Sequence, residues 1–151
     1  MISKMNIFAI FALLAGAAIA LQASMNAKLG ILLNNSLLAT SVAFFAAFTI
    51  TLLSTLLVNK GYPSQAIIKS VPFYLWFAGG LLAAFGVSTF YYLIPKMGVG
   101  QMMSYALTGQ IIIAMVAGHF GWFELPIRSF DFNRLLGLFA LIVGITLINW
   151  D

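Results

Sequence analysis

The sequence predicts an all-α polytopic membrane protein with five transmembrane helices. Two observations carry that prediction. The first is composition: 63% of the 151 residues are hydrophobic and 7% are charged, with a mean hydropathy of +1.08. A soluble domain carries about 25% charged residues, so a chain this apolar needs the bilayer as its solvent. The second is the spacing of the charges. Residues 5–27, 29–59, 70–95, 97–123 and 135–150 contain no Asp, Glu, Lys or Arg. A helix rises about 1.5 Å per residue, so about 20 apolar residues cross a hydrocarbon core of about 30 Å. Four runs exceed that length. The fifth, residues 135–150, covers about 24 Å and spans if Arg134 and Trp150 sit at the two interfaces. The runs are continuous rather than alternating, which favours helices over a β-barrel.

The predicted elements form one five-helix transmembrane domain over residues 1–151. The first helix covers about 6–33, with a bend expected near Gly30. Lys4 ahead of an apolar stretch resembles a signal peptide, but the run is long and Ala20-Leu21-Gln22 is a poor cleavage site, so an uncleaved helix is expected. Asn34-Asn35-Ser36 is a turn signal, and the second helix follows over about 37–58. Lys60-Gly61-Tyr62-Pro63 ends it, and residues 64–70 form an interfacial connector containing Lys69. Pro72 suits a first helical turn, which opens the third helix at about 72–94. Pro95-Lys96-Met97-Gly98 reads as a tight turn, followed by the fourth helix at about 99–118. A polar loop over residues 119–133 leads to the fifth helix at about 134–150.

Charge also sets orientation. With the N-terminus inside, the inner segments hold Lys4, Lys60, Lys69, Arg128 and Arg134, and the outer segments hold Lys28 and Lys96. That excess favours a cytoplasmic N-terminus and an outer C-terminus, with a bias small enough to leave dual insertion open. The basic residues lie singly at run ends, so the net charge of +4 carries no nucleic-acid signature. The absence of cysteine excludes disulfides and thiolate chemistry. With no HExxH, GxSxG, P-loop or paired carboxylates, no catalytic residue, metal site or cofactor is expected.

The helices carry small and polar stripes. Gln22 and Asn26 lie one turn apart on the first helix, beyond Ala15 and Ala18. They read either as interhelical hydrogen bonding or as solute contacts. Gly80, Ala84 and Ser88 form a close-packing seam on the third helix that runs on to Tyr92. Tyr91 and Tyr92 suit interface anchoring, or stacking on a solute if turned inward. Ala106, Gln110, Ala114 and Gly118 share a stripe on the fourth helix, with Gln101, Tyr105 and Thr108 adding polarity. If Gln110 faces Gln22 and Asn26, the three frame a neutral polar cavity. Gly137 and Gly144 mark a packing or dimer face on the fifth helix. No Asp or Glu falls within any apolar run, so an intramembrane carboxylate for proton coupling is missing. His119, at the end of the fourth helix, suits an interfacial hydrogen bond better than a proton relay.

The stretch Gly16-Ala17-Ala18-Ile19-Ala20-Leu21-Gln22-Ala23-Ser24-Met25-Asn26-Ala27-Lys28-Leu29-Gly30 resembles the first helix of the YdcZ-like family of the drug/metabolite transporter superfamily. Gly118-His119-Phe120-Gly121-Trp122-Phe123 and Arg134-Leu135-Leu136-Gly137 resemble its last loop and final helix. The resemblance spans the whole chain. It implies a five-helix unit, half of a ten-helix inverted-repeat transporter, in the bacterial inner membrane. It implies a homodimer or a heterodimer with a similar five-helix chain, antiparallel across the membrane. The family often has an acid just before His-Phe-Gly, where this chain has Gly118. The glutamate of small multidrug resistance relatives has no counterpart here, so their proton mechanism does not transfer.

The expected function is transport of a small organic metabolite by alternating access of two such units. The solute-contacting residues expected are Gln22, Asn26, Tyr92, Tyr105 and Gln110, and the solute is neutral, zwitterionic or, if aromatics dominate, cationic. The rival is a non-transporting accessory or structural subunit of a membrane complex, which the small-residue seams fit equally well.

Overall fold

The computed structural model describes residues 2–59, 61–124 and 126–150, and side chains from Ile7 onward. Of the cations used for orientation, Lys60 and the side chain of Lys4 lie outside the described residues, as does Asp151. All regular structure among the described residues is helical: α1 (Ile2–Leu32), α2 (Ser36–Val58), α3 (Gln65–Ser70), α4 (Ala78–Met97), α5 (Val99–Phe120) and α6 (Phe132–Ile148). Four segments are long and apolar enough to cross a membrane: Ile7–Leu32, Ser36–Val58, Phe73–Met97 and Val99–Phe120. Beside them stands α6, apolar but shorter, at 17 residues. Side-chain exposure agrees with a lipid solvent. Leu57 is 84% exposed and Leu13 74%, while the buried positions are mostly small or polar, such as Ala23, Ala27, Ala39, Thr40 and Ser104. Such a chain inverts the soluble pattern, because close helix approach rather than water exclusion holds membrane helices together.

The chain forms two compact units, Met1–Lys96 and Met97–Asp151. In the first unit, α1 and α2 make a helical hairpin, and its turn follows from two asparagines. Asn34 adopts φ 53°, a left-handed conformation that Asn tolerates better than most residues. The Asn35 N–H reaches the Gly30 carbonyl at 2.9 Å and the Asn34 N–H reaches Ile31 at 3.1 Å, the paired bonds of a Schellman stop. Asn35 then caps α2, its side-chain oxygen accepting from the Leu38 N–H at 3.0 Å. Gly30 lies within the unbroken α1. It lets the end of α1 close on the start of α2, since a Cβ there would sit 3.4 Å from the Ser36 Cα and 3.6 Å from the Ala39 Cβ.

Three boundaries around α3 and α4 differ from the sequence expectation. The connector at 64–70 contains the short helix α3, capped by Ser64 onto the Ile67 N–H. Pro72 precedes a 3-10 turn, Phe73–Trp76, and α4 starts only at Ala78. At the far end Pro95 does not stop α4, which runs to Met97. A proline in the last turn removes only one backbone donor, and the stop is supplied by Gly98 at φ 84°.

In the second unit, α5 ends on Gly121 at φ 61°. The loop beyond folds back onto α5. The Arg128 N–H donates to the Gly118 carbonyl at 2.8 Å, and the Phe130 N–H donates to His119 Nδ1 at 3.2 Å. The His119 ring lies between Phe120 and Phe130, with centroids 5.0 and 4.7 Å away. His119 therefore anchors the loop by accepting a backbone hydrogen bond. Asp131 caps α6 onto the Arg134 N–H at 2.8 Å, which places the helix start two residues ahead of the expected Arg134. The two helices are tied at their other ends by Asn149 Nδ2 donating to Ser104 Oγ at 2.9 Å.

Candidate functional site

Among the described residues of the first unit, one cluster of polar side chains is bonded between helices. Gln22 and Asn26 project from α1 one turn apart, and Tyr91 reaches them from α4. Asn26 Nδ2 donates to Gln22 Oε1 at 2.9 Å and to Tyr91 Oη at 3.0 Å. The Tyr91 hydroxyl donates in turn to Gln22 Oε1 at 3.0 Å. The three groups close a triangle. Gln22 and Asn26 lie about 4 and 10 Å along the axis from the middle of Ile7–Leu32, inside a hydrocarbon layer about 15 Å deep on each side.

The donor and acceptor inventory says what the triangle leaves over. Asn26 Nδ2 has two hydrogens, and both are used. Gln22 Oε1 accepts twice. Gln22 Nε2, with two donors, and Asn26 Oδ1, an acceptor, make no hydrogen bond among the described residues. Gln22 is exposed and Asn26 half-buried. The arrangement presents a neutral donor next to a neutral acceptor at membrane depth.

Tyr91, rather than Tyr92, closes the triangle. Tyr91 is 2% exposed, whereas Tyr92 is exposed and pairs with Lys96, whose Nζ hydrogen-bonds its hydroxyl and lies 3.8 Å from the ring centroid. A sequence signal separates the two tyrosines. Lys96 sits one turn beyond Tyr92 and draws that stripe toward the interface, while Ser88, Tyr91 and Ile94 follow the inward i, i+3, i+6 spacing. Both tyrosines line a groove of about 380 Å³ together with Asn34, Asn35 and Pro95. The groove opens at the turn between α1 and α2, and Tyr91 joins it to the triad.

Tyr105 and Gln110 belong to the second unit. Each is exposed there, and neither side chain makes a hydrogen bond among the described residues. The side-chain hydrogen bond between α5 and α6 is the Asn149–Ser104 pair, which the sequence did not single out. No group of three or more His, Cys, Asp or Glu side chains that could hold a metal ion occurs among the described residues.

The chain matches the family model DMT_YdcZ, described as "Putative inner membrane exporter, YdcZ", over residues 7–147. No curated protein and no solved structure gives a match.

Proposed function

The chain belongs to the YdcZ family of multi-pass inner-membrane transport proteins, and from that premise we propose that it is half of an exporter whose solute is held by the Gln22–Asn26–Tyr91 triad. The observation that carries the proposal is the neutral donor and acceptor left over by that triad within an apolar layer. A buried amide that finds no partner costs several kcal/mol in hydrocarbon, so a chain that keeps two spare amide groups at this depth has a use for them. Gln22 Nε2 suits a carbonyl, hydroxyl or carboxylate oxygen, and Asn26 Oδ1 suits an N–H or O–H. The solute class is therefore small, polar and neutral or zwitterionic. The groove beside Tyr91 and Tyr92 is its passage to one side.

Two five-helix chains complete the transporter. An added Cβ at Gly79, Gly80, Gly137 or Gly144 meets nothing within 4 Å, so the small-residue faces of α4 and α6 stand open. Open faces of this kind fit helices of a second copy or a similar chain. With antiparallel pairing, the two chains form inverted halves that rock about a shared midplane site. The positive-inside excess favours a cytoplasmic N-terminus and an outer C-terminus for at least one copy.

The test is solute flux in proteoliposomes holding the purified protein, alone and with any similar five-helix chain encoded beside it. Gln22→Leu should lower flux at least tenfold and Tyr91→Phe several-fold, with both variants eluting as folded protein. Normal flux in both would remove the triad from the solute path. Absence of flux from every preparation, with co-purification of a larger membrane protein, would establish the accessory-subunit reading instead.

A further inference from the structure

The second unit carries a groove unrelated to the triad. It measures about 340 Å³ and is lined by Ile111, Ala114, Met115, Gly118, Arg128 and Arg134. The first four form one stripe of α5 at i, i+3, i+4 and i+7, an apolar floor about 10 Å long. The two arginines arrive from different elements. Arg128 comes from the loop and is fixed by its own N–H on the Gly118 carbonyl at 2.8 Å. Arg134 comes from the first turn of α6, where Nη1 donates to the Ser129 carbonyl at 2.9 Å.

Counter-charge is short. Asp131 lies 3.8 Å from Arg134 Nε and does not line the groove. Glu124 does not line it either. The Arg128 guanidinium makes no hydrogen bond or ion pair among the described residues. Two guanidiniums against one carboxylate leave the mouth with a net charge of about +1. An arginine that served only as an interfacial anchor would extend along its own helix toward water. Here a backbone hydrogen bond turns Arg128 back over the end of the apolar stripe.

We propose that this groove binds an anionic phospholipid, with its phosphodiester on Arg128 and Arg134 and an acyl chain along Ile111, Ala114 and Met115. The fit is of three kinds. Planar guanidiniums match phosphate oxygens in paired hydrogen bonds. The net charge matches a phosphodiester monoanion. The site lies at the end of a membrane helix, at headgroup level, with the apolar floor running toward the hydrocarbon. A free phosphate would use the mouth and leave the floor empty.

The experiment is lipid retention on the purified full chain, read by native mass spectrometry after exchange into detergent with equal phosphatidylglycerol and phosphatidylcholine. Wild type should retain phosphatidylglycerol at least tenfold over phosphatidylcholine. Arg128→Gln should cut that preference about tenfold, and Arg128→Lys should restore part of it. Ala114→Trp, which fills the floor and leaves both charges in place, should lower retention as well. Equal retention of the two lipids by wild type would overturn the proposal. So would displacement of the lipid by millimolar inorganic phosphate, which would identify a soluble-anion site. If Arg128→Gln fails to fold, the Ala114→Trp result decides: unchanged phosphatidylglycerol retention in that variant overturns the assignment. None of these readouts depends on transport.

Discussion

Replacing Tyr91 by Phe isolates the interhelical chemistry of the triad. The ring is 2% exposed, and Phe fills the same space, so only the hydroxyl is lost. That hydroxyl makes two bonds, donating to Gln22 Oε1 and accepting from Asn26 Nδ2, each 3.0 Å long. Removing it leaves Gln22 Oε1 bonded to Asn26 Nδ2 at 2.9 Å and frees one of the two Asn26 Nδ2 hydrogens at a half-buried position. The cost is then at least the net worth of two interhelical hydrogen bonds. Such bonds average about 0.6 kcal/mol in membrane proteins, with an upper value of about 1.7. Tyr91→Phe should destabilise by about 1.2 kcal/mol or more. Tyr91→Ala, which also empties the site of its ring, should cost about 3–5 kcal/mol. Asn26→Ala combined with Tyr91→Phe in a double-mutant cycle should give a coupling near 0.6 kcal/mol. The assay is reversible unfolding in mixed micelles, followed by tryptophan fluorescence. A zero cost for Tyr91→Phe, with coupling inside the additivity error of about 0.3 kcal/mol, would show that the hydroxyl is not bonded to Asn26.

The close approach of α1 to α2 predicts a size threshold at Gly30. Gly30→Ala should be nearly neutral, because a Cβ meets its neighbours at 3.4 Å or more, while Gly30→Leu should cost about 1–3 kcal/mol in the same unfolding assay. Equal tolerance of both would mean that the hairpin does not close there. Asp131→Asn should leave stability within about 0.5 kcal/mol, since Asn caps a helix as well as Asp, yet it removes the carboxylate beside Arg134. Retention of phosphatidylglycerol should therefore rise in that variant, and a fall would count against the arginine groove.

The helices were legible because hydrocarbon imposes one rule, that every backbone group be satisfied inside its own segment. Charge-free runs followed from it, and so did α1, α2 and α5. The hairpin was legible for a local reason: Asn34 and Asn35 have side chains suited to a left-handed stop and to a helix cap. Pro95 misled because its rule concerns helix interiors. Three residues from the end it withdraws one donor, and Gly98 decides the boundary. Tyr91 and Tyr92 were harder to separate. Adjacent residues on a helix differ by only about 100° in facing, so a stripe of small residues at four-residue spacing admits either. What distinguishes them is Lys96, whose hold on Tyr92 is a side-chain event one turn away. The Arg128 groove was not legible at all. It depends on a loop N–H meeting the Gly118 carbonyl, and no periodicity encodes that contact.

The triad carries an argument about assembly that the sequence alone did not. Three neutral groups satisfy one another across α1 and α4, and they do so without burying a charge. A carboxylate at the same depth would favour protonation or demand a cation, and with it a coupling ion. The amides escape that requirement but leave Gln22 Nε2 and Asn26 Oδ1 without a hydrogen bond among the described residues. Lipid tails offer them nothing. At about 4 Å from the middle of the span Gln22 lies deep in the hydrocarbon, while Asn26 at about 10 Å lies nearer its edge. In the membrane these two groups therefore require a polar neighbour at all times: water in a cavity, a solute, or side chains of another helix. A lone five-helix chain with Gln22 turned to lipid would violate the rule that shaped the rest of it. On the proposed reading, the two groups that would hold the solute would also be met by a second copy or a similar chain, whose helices would wall the cavity beyond α1.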